Sequence, residues 1–107
     1  MYTLIIEGTL KPRKKTEFTT AWNNEILPTL KKQTGFVDEI LLFAADEPER
    51  GVGLSFWNTK EDAERYHREV FPKVVTGVKH LIKTPPKVRA FNVEAAEIFR
   101  IVPSKAA

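Results

Sequence analysis

Residues 2–10 alternate, with Tyr2, Leu4, Ile6 and Leu10 to one side and Thr3, Glu7 and Thr9 to the other. That period of two predicts a strand with one buried face. The basic loop Lys11-Pro12-Arg13-Lys14-Lys15 closes it. From Thr16 to Gln33 the period lengthens: Phe18, Trp22, Ile26 and Leu30 recur every four residues, with Ala21 beside them, as one apolar helical stripe. Pro28 falls inside this helix, where it removes a donor and crowds the carbonyl of Asn24, so a kink is expected there. Gly35 is placed to end the helix as a left-handed cap.

Phe36–Ala45 reads as a second strand, the polar run from Asp46 to Gly51 as a turn, and Val52–Trp57 as a third strand pairing with the second. Thr59 with Asp62 three residues later resembles a capping box opening a second helix. This helix carries Ala63, Tyr66, His67 and Val70 on one face and Glu61, Arg65 and Glu69 on the other. Pro72 breaks or kinks it, and a continuation bears Phe71, Val74, Val75, Val78 and Ile82. Pro85-Pro86 ends helix, and Lys87 to Glu94 reads as a fourth strand. The chain thus divides into a domain over residues 1–94 and a tail over 95–107. With Ile98, Phe99, Ile101 and Val102, the tail is expected to pack on the domain or on a partner subunit.

The order β-α-β-β-α-β is the split βαβ arrangement of an α+β, ferredoxin-like domain. Right-handed crossovers place both helices on one face of its sheet. The second strand is apolar on both sides: Phe36, Ile40, Leu42 and Ala44 alternate with Val37, Leu41, Phe43 and Ala45. A strand apolar on both sides belongs to a sheet covered on both sides. Four large apolar side chains left in water would forfeit roughly 6–12 kcal/mol of burial. A second copy of the chain is the economical cover, and a homodimer is expected. The rival cover is the tail, which at about ten residues reaches only part of the face.

Composition narrows the classes. The 107 residues suit one domain, and 42% hydrophobic with 29% charged residues fits a globular chain. A net charge of +3, with its densest basic run free of aromatics, is no nucleic-acid footprint. There is no cysteine, hence no disulfide, thiolate nucleophile or Cys-based metal site. No apolar run approaches the ~18 residues of a membrane helix, and the first residues read as a strand and not a leader, so a cytoplasmic location is expected. His67 and His80 are the two histidines, and 13 residues of helix would set them about 220° apart, so no shared metal is expected.

Candidate chemistry is sparse. Histidine is the residue type suited to proton transfer near neutral pH, so His67 is the first place to look for a general base, with Tyr66 beside it as the other proton-handling group. Trp22, Trp57 and Phe71 are candidate aromatic walls for a small ligand, in a cavity expected between the second helix and the sheet. Each of these five side chains is also consistent with ordinary packing. Arg89 is a candidate anion contact, although alternation does not assign its face.

Taken together, Trp22, Leu27-Pro28, Lys32-Gln33, Gly35-Phe36, Gly53-Leu54-Ser55-Phe56-Trp57 and Glu61-Asp62-Ala63-Glu64-Arg65-Tyr66 give a chain that resembles the antibiotic biosynthesis monooxygenase family. The resemblance spans about residues 2–94. It implies a dimeric α+β barrel with a small-molecule pocket between helices and sheet in each subunit. It also implies a cofactor-free monooxygenase acting on a small aromatic, polyketide or quinol-like substrate. The alternative is a non-catalytic small-molecule-binding or stress-associated barrel. The haem-degrading relatives resemble one another in a first-strand Asn, a helical aromatic and a haem-ligating His. Here the first strand has no Asn, Tyr66 stands at the aromatic position, and the His position falls near Thr76, a turn before His80. Neither haem nor any other cofactor is expected.

Overall fold

Strand β1 (Tyr2–Thr9) lies inside the sheet, paired antiparallel on one side with β3 (Arg50–Trp57) and on the other with β4 (Lys87–Asn92). Strand β2 (Phe36–Phe43) joins the free edge of β3, giving the antiparallel order β2-β3-β1-β4. A computed structural model describes residues 1–97. The fold is the α+β, ferredoxin-like arrangement that the hydropathy pattern predicts. The tail residues Ile98, Phe99, Ile101 and Val102 lie outside the described residues.

The first helix is continuous but not uniform. An α-helical start, α1 (Lys15–Ala21), passes into a π turn (Trp22–Ile26) and then into α2 (Leu27–Lys31). The Leu27 amide bonds back five residues to the Trp22 carbonyl. Pro28, expected to kink the helix, sits in the first turn of α2, just past the wide turn. There its missing N–H and bulky ring are tolerated. Gly35 closes the helix with φ 81°, a conformation that disfavours any side chain. A Cβ there would also collide with the Asp62 carboxylate.

Thr59 caps α3 (Lys60–Glu69), its hydroxyl accepting from the Asp62 amide at 3.1 Å. The helix breaks at Val70, and α4 (Phe71–Val78) restarts with Pro72 in its first turn. A 3₁₀ turn (Lys79–Leu81) returns the chain to β1, where Lys11 and Lys83 bond across to Leu81 and Thr9.

The core forms between the helices and one face of the sheet. Leu4 and Trp57 of the sheet meet Ile26, Leu30, Ala63 and Tyr66 of the helices there, all nearly or fully buried. Sequence alternation misassigns one position. The register shifts between Phe36 and Asp38, so a β-bulge at Val37 carries Phe36 to the helix-facing side with Leu41 and Phe43. The opposite face shows Ile40, Leu42, Val52, Leu54, Phe56 and Ile5, and no helix of the described residues lies over it. Leu42 is 49% exposed and Phe91, on β4, 41%.

Candidate functional site

Between the helices and the sheet lies a cavity of about 80 Å³. Its floor comes from Ile6 and Gly8 of β1, Gly51, Gly53 and Ser55 of β3, and the β2 side chains of Leu41 and Phe43. Phe18, Trp22, Ile26 and Leu30 of the first helix form one wall. Tyr66 of α3, with Phe71, Val74 and Val78 of α4, forms the other. Among the described residues, no charged or imidazole side chain lines it.

Two floor glycines make room for this aromatic lining. The far edge of the Trp22 ring approaches Gly53 so closely that a Cβ would lie 2.9 Å from it. Phe43 lies over Gly51 in the same manner at 3.2 Å. The Trp22 indole is held at its other end, where Nε1 donates to Glu39 at 2.7 Å. Burial raises the Glu39 pKa from its ordinary value, and neighbouring Asp38 adds to the rise. The Trp22 hydrogen bond and Lys31 oppose it. At the rim, the Lys15 ammonium sits 4.9 Å from the centroid of the Phe43 ring.

Of the hydroxyl-bearing residues in the lining, Tyr66 and Ser55 are buried. Tyr66 is 3% exposed and stacks on Trp57 with ring centroids 5.0 Å apart. Burial pushes its phenol up to about 12, so it is protonated at neutral pH and available as a hydrogen-bond donor. Ser55 is 4% exposed, and its Oγ accepts from Trp57 Nε1 at 2.8 Å.

An antibiotic biosynthesis monooxygenase model matches residues 1–71, about two thirds of the chain. The chain belongs to this family. SnoaB from Streptomyces nogalater, a cofactor-independent oxygenase, shares its fold at TM-score 0.74 and 19% identity over 89% of this chain and 94% of that one. A Nitrosomonas europaea protein of unknown function gives TM-score 0.74 at 13% identity over 92% and 94% of the two chains. A conserved protein from Methanosarcina mazei Go1 gives 0.69 at 18% identity over 84% and 89%. At such identities the likeness is one of fold. No curated protein matches the chain.

Set in this antibiotic biosynthesis monooxygenase fold, the five candidate residues separate into two groups. Trp22, Tyr66 and Phe71 reach the cavity. Trp57 does not line it: fully buried, it lies beneath Tyr66 with Phe36 against its other edge. His67 does not line it either. Its ring stacks on Phe71, centroids 5.3 Å apart and planes 15° from parallel, so the imidazole reaches the cavity only through Phe71. Helical spacing alone placed His67 and Tyr66 on one face, but 100° between neighbours is enough to divide them. Arg89 pairs with Ile5 on β1 and lines a separate groove with Arg50 and Lys87. Thr76 is exposed and bonds back to the Pro72 carbonyl, and exposed His80 lies 3.6 Å from Glu17.

Ser55, Glu39 and the two floor glycines were not among the candidate site residues, although Gly53 and Ser55 lie in a stretch that carries the family resemblance. A signal for Ser55 was present: it stands two residues from Trp57 on one strand, hence on the same face. Glu39 shares the parity of Leu41 and Phe43 and so lies on their face, but nothing in the local pattern marks its pairing with Trp22, 17 residues away.

No helix among the described residues is long and apolar enough to cross a membrane.

Proposed function

We propose that this chain is a cofactor-independent monooxygenase of the antibiotic biosynthesis type, acting as a homodimer in the cytoplasm on a small aromatic or quinol-like substrate. The observation that carries the reading is the cavity: aromatic walls, an apolar floor, and the Tyr66 phenol as the one titratable group among its described lining residues. Such a lining suits a flat, weakly polar ligand. Family membership and the shared fold with the cofactor-independent oxygenase SnoaB support the same chemistry.

Without a cofactor, the electrons that reduce dioxygen come from the substrate. An activated ring CH₂ flanked by phenol or carbonyl groups meets this need once deprotonated. Its carbon then takes one oxygen atom as a new carbonyl, and the second leaves as water with the two hydrogens. The protein's part is to desolvate the ring, orient it against the Trp22 and Phe71 faces, and hold a ring oxygen with the Tyr66 hydroxyl.

The second copy covers the bare sheet face. Ile5, Ile40, Leu42, Val52, Leu54 and Phe56 form a continuous apolar surface opposite the helices, the kind of patch that marks an interaction site.

A second reading, a binder without turnover, draws on the absence of a charged or imidazole group from the cavity wall among the described residues. An oxygen electrode separates the two. With anthrone-type substrates, the monooxygenase consumes one dioxygen per carbonyl formed, and Tyr66→Phe slows it. Ligand uptake with no oxygen consumption across the panel establishes the binder.

A further inference from the structure

The Ser55 hydroxyl has two roles available and uses one inside the protein. Its oxygen accepts from Trp57 Nε1, yet no acceptor for its own proton is found among the described residues. The residue is 4% exposed and borders the cavity. An O–H in an apolar wall without an acceptor is costly in the empty protein and is answered by a ligand that brings one. Tyr66 poses the same question from the α3 wall. Its hydroxyl has no partner among the described residues, yet no buried side-chain oxygen there is sealed off without a bond, so this oxygen opens onto accessible space.

The rings between these groups make the arrangement rigid. Trp57 is fully buried, donates to Ser55 and stacks under Tyr66. One immobile indole therefore fixes the oxygen of the first hydroxyl and the ring plane of the second. That is how a donor pair is held ready before a ligand arrives.

We infer that Ser55 selects the ligand by its oxygen: with Tyr66 it forms a two-donor clamp for a carbonyl or phenolate oxygen on an aromatic ring seated against Trp22 and Phe71. The inference rests on the cavity being the ligand site, as in the proposed function, and adds which substituent the ligand must bear. Trp57 is a positioning residue in this scheme, and an aromatic hydrocarbon of the same shape is discriminated against.

The test compares acetophenone with cumene, which replaces the carbonyl oxygen by a methyl group. Calorimetry on the full chain is expected to show that Ser55→Ala and Tyr66→Phe each weaken acetophenone about five- to tenfold, the worth of one hydrogen bond, and leave cumene within about twofold. The infrared carbonyl stretch of bound acetophenone, lowered in the wild type, is expected to rise in both variants. Because Ser55→Ala also strips Trp57 of its acceptor and can unfold the chain, Tyr66→Phe, which breaks no internal bond, keeps the clamp testable. Equal losses for both ligands, or an unshifted stretch, overturn the clamp while leaving the cavity as a ligand site. Failure of both ligands to bind wild-type protein overturns the cavity reading and the clamp with it.

Discussion

The Trp22 indole is pinned at both ends, its Nε1 on Glu39 at 2.7 Å and its far edge over Gly53, where even a Cβ would come within 2.9 Å. A side chain at residue 53 must therefore push the ring, and the ring has little freedom to yield. Gly53→Ala is expected to cost roughly 1–3 kcal/mol, the usual range for overpacking. Trp22→Phe, which clears the space, should recover most of it. Thermal denaturation of the two single variants and the double variant checks this, since independent effects would simply add.

Glu39 itself gives a pH-dependent prediction. Its pKa is raised by burial, so the folded state binds its proton more readily than the unfolded chain does. Stability is then lost as pH rises from the ordinary carboxylate range through the raised value. Glu39→Gln keeps an acceptor for Trp22 and should remove that loss, leaving the variant at least as stable near neutrality. Glu39→Leu should be less stable than either, with the indole N–H left unpaired. Denaturant titrations between pH 4 and pH 8 distinguish the three.

Tyr66 titrates at the other extreme. With the folded phenol near 12 and the unfolded one near 10, the unfolded chain loses its proton first. Stability should fall across that window at about 1.4 kcal/mol per pH unit. Tyr66→Phe is expected to flatten this decline and leave stability at neutral pH nearly unchanged. An alkaline limb that persists unaltered in the variant contradicts the assignment.

Neighbouring leucines on β2 should fail differently. Leu42 faces away from the helices at 49% exposure, and Leu41 lines the cavity. Leu42→Glu is expected to yield a folded monomer by light scattering. Leu41→Glu should instead lower stability by roughly 2–5 kcal/mol, the range for losing a packed leucine. A wild-type chain with a mass near 12.2 kDa at micromolar concentration would refute the dimer directly.

Element order, sheet class and the helix-facing residues were legible because each rests on local periodicity: Leu4 and Ile6 in β1, Ile26 and Leu30 in the first helix, Ala63 and Tyr66 in α3. What escaped depends on an added residue or on distant contacts. The Val37 bulge switches the parity of Phe36, and no composition signal marks it. His67 shares a helix face with Tyr66, yet whether its ring enters the cavity is decided by where Phe71 restarts the helix after Val70. Trp57 was legible as an aromatic at the right place. Its complete burial follows only from Tyr66 stacking above it.

The π turn at Trp22–Ile26 means that this helix is longer in sequence than in space. Deleting one of the solvent-facing residues Asn23 or Asn24 would let the segment wind regularly while its two flanks kept their phase. The tighter coil would bring the Pro28 ring back against the carbonyl four residues earlier and draw Trp22 off its perch between Glu39 and Gly53. Here the surplus residue is a spacer, and the width of the cavity is written into the length of a helix.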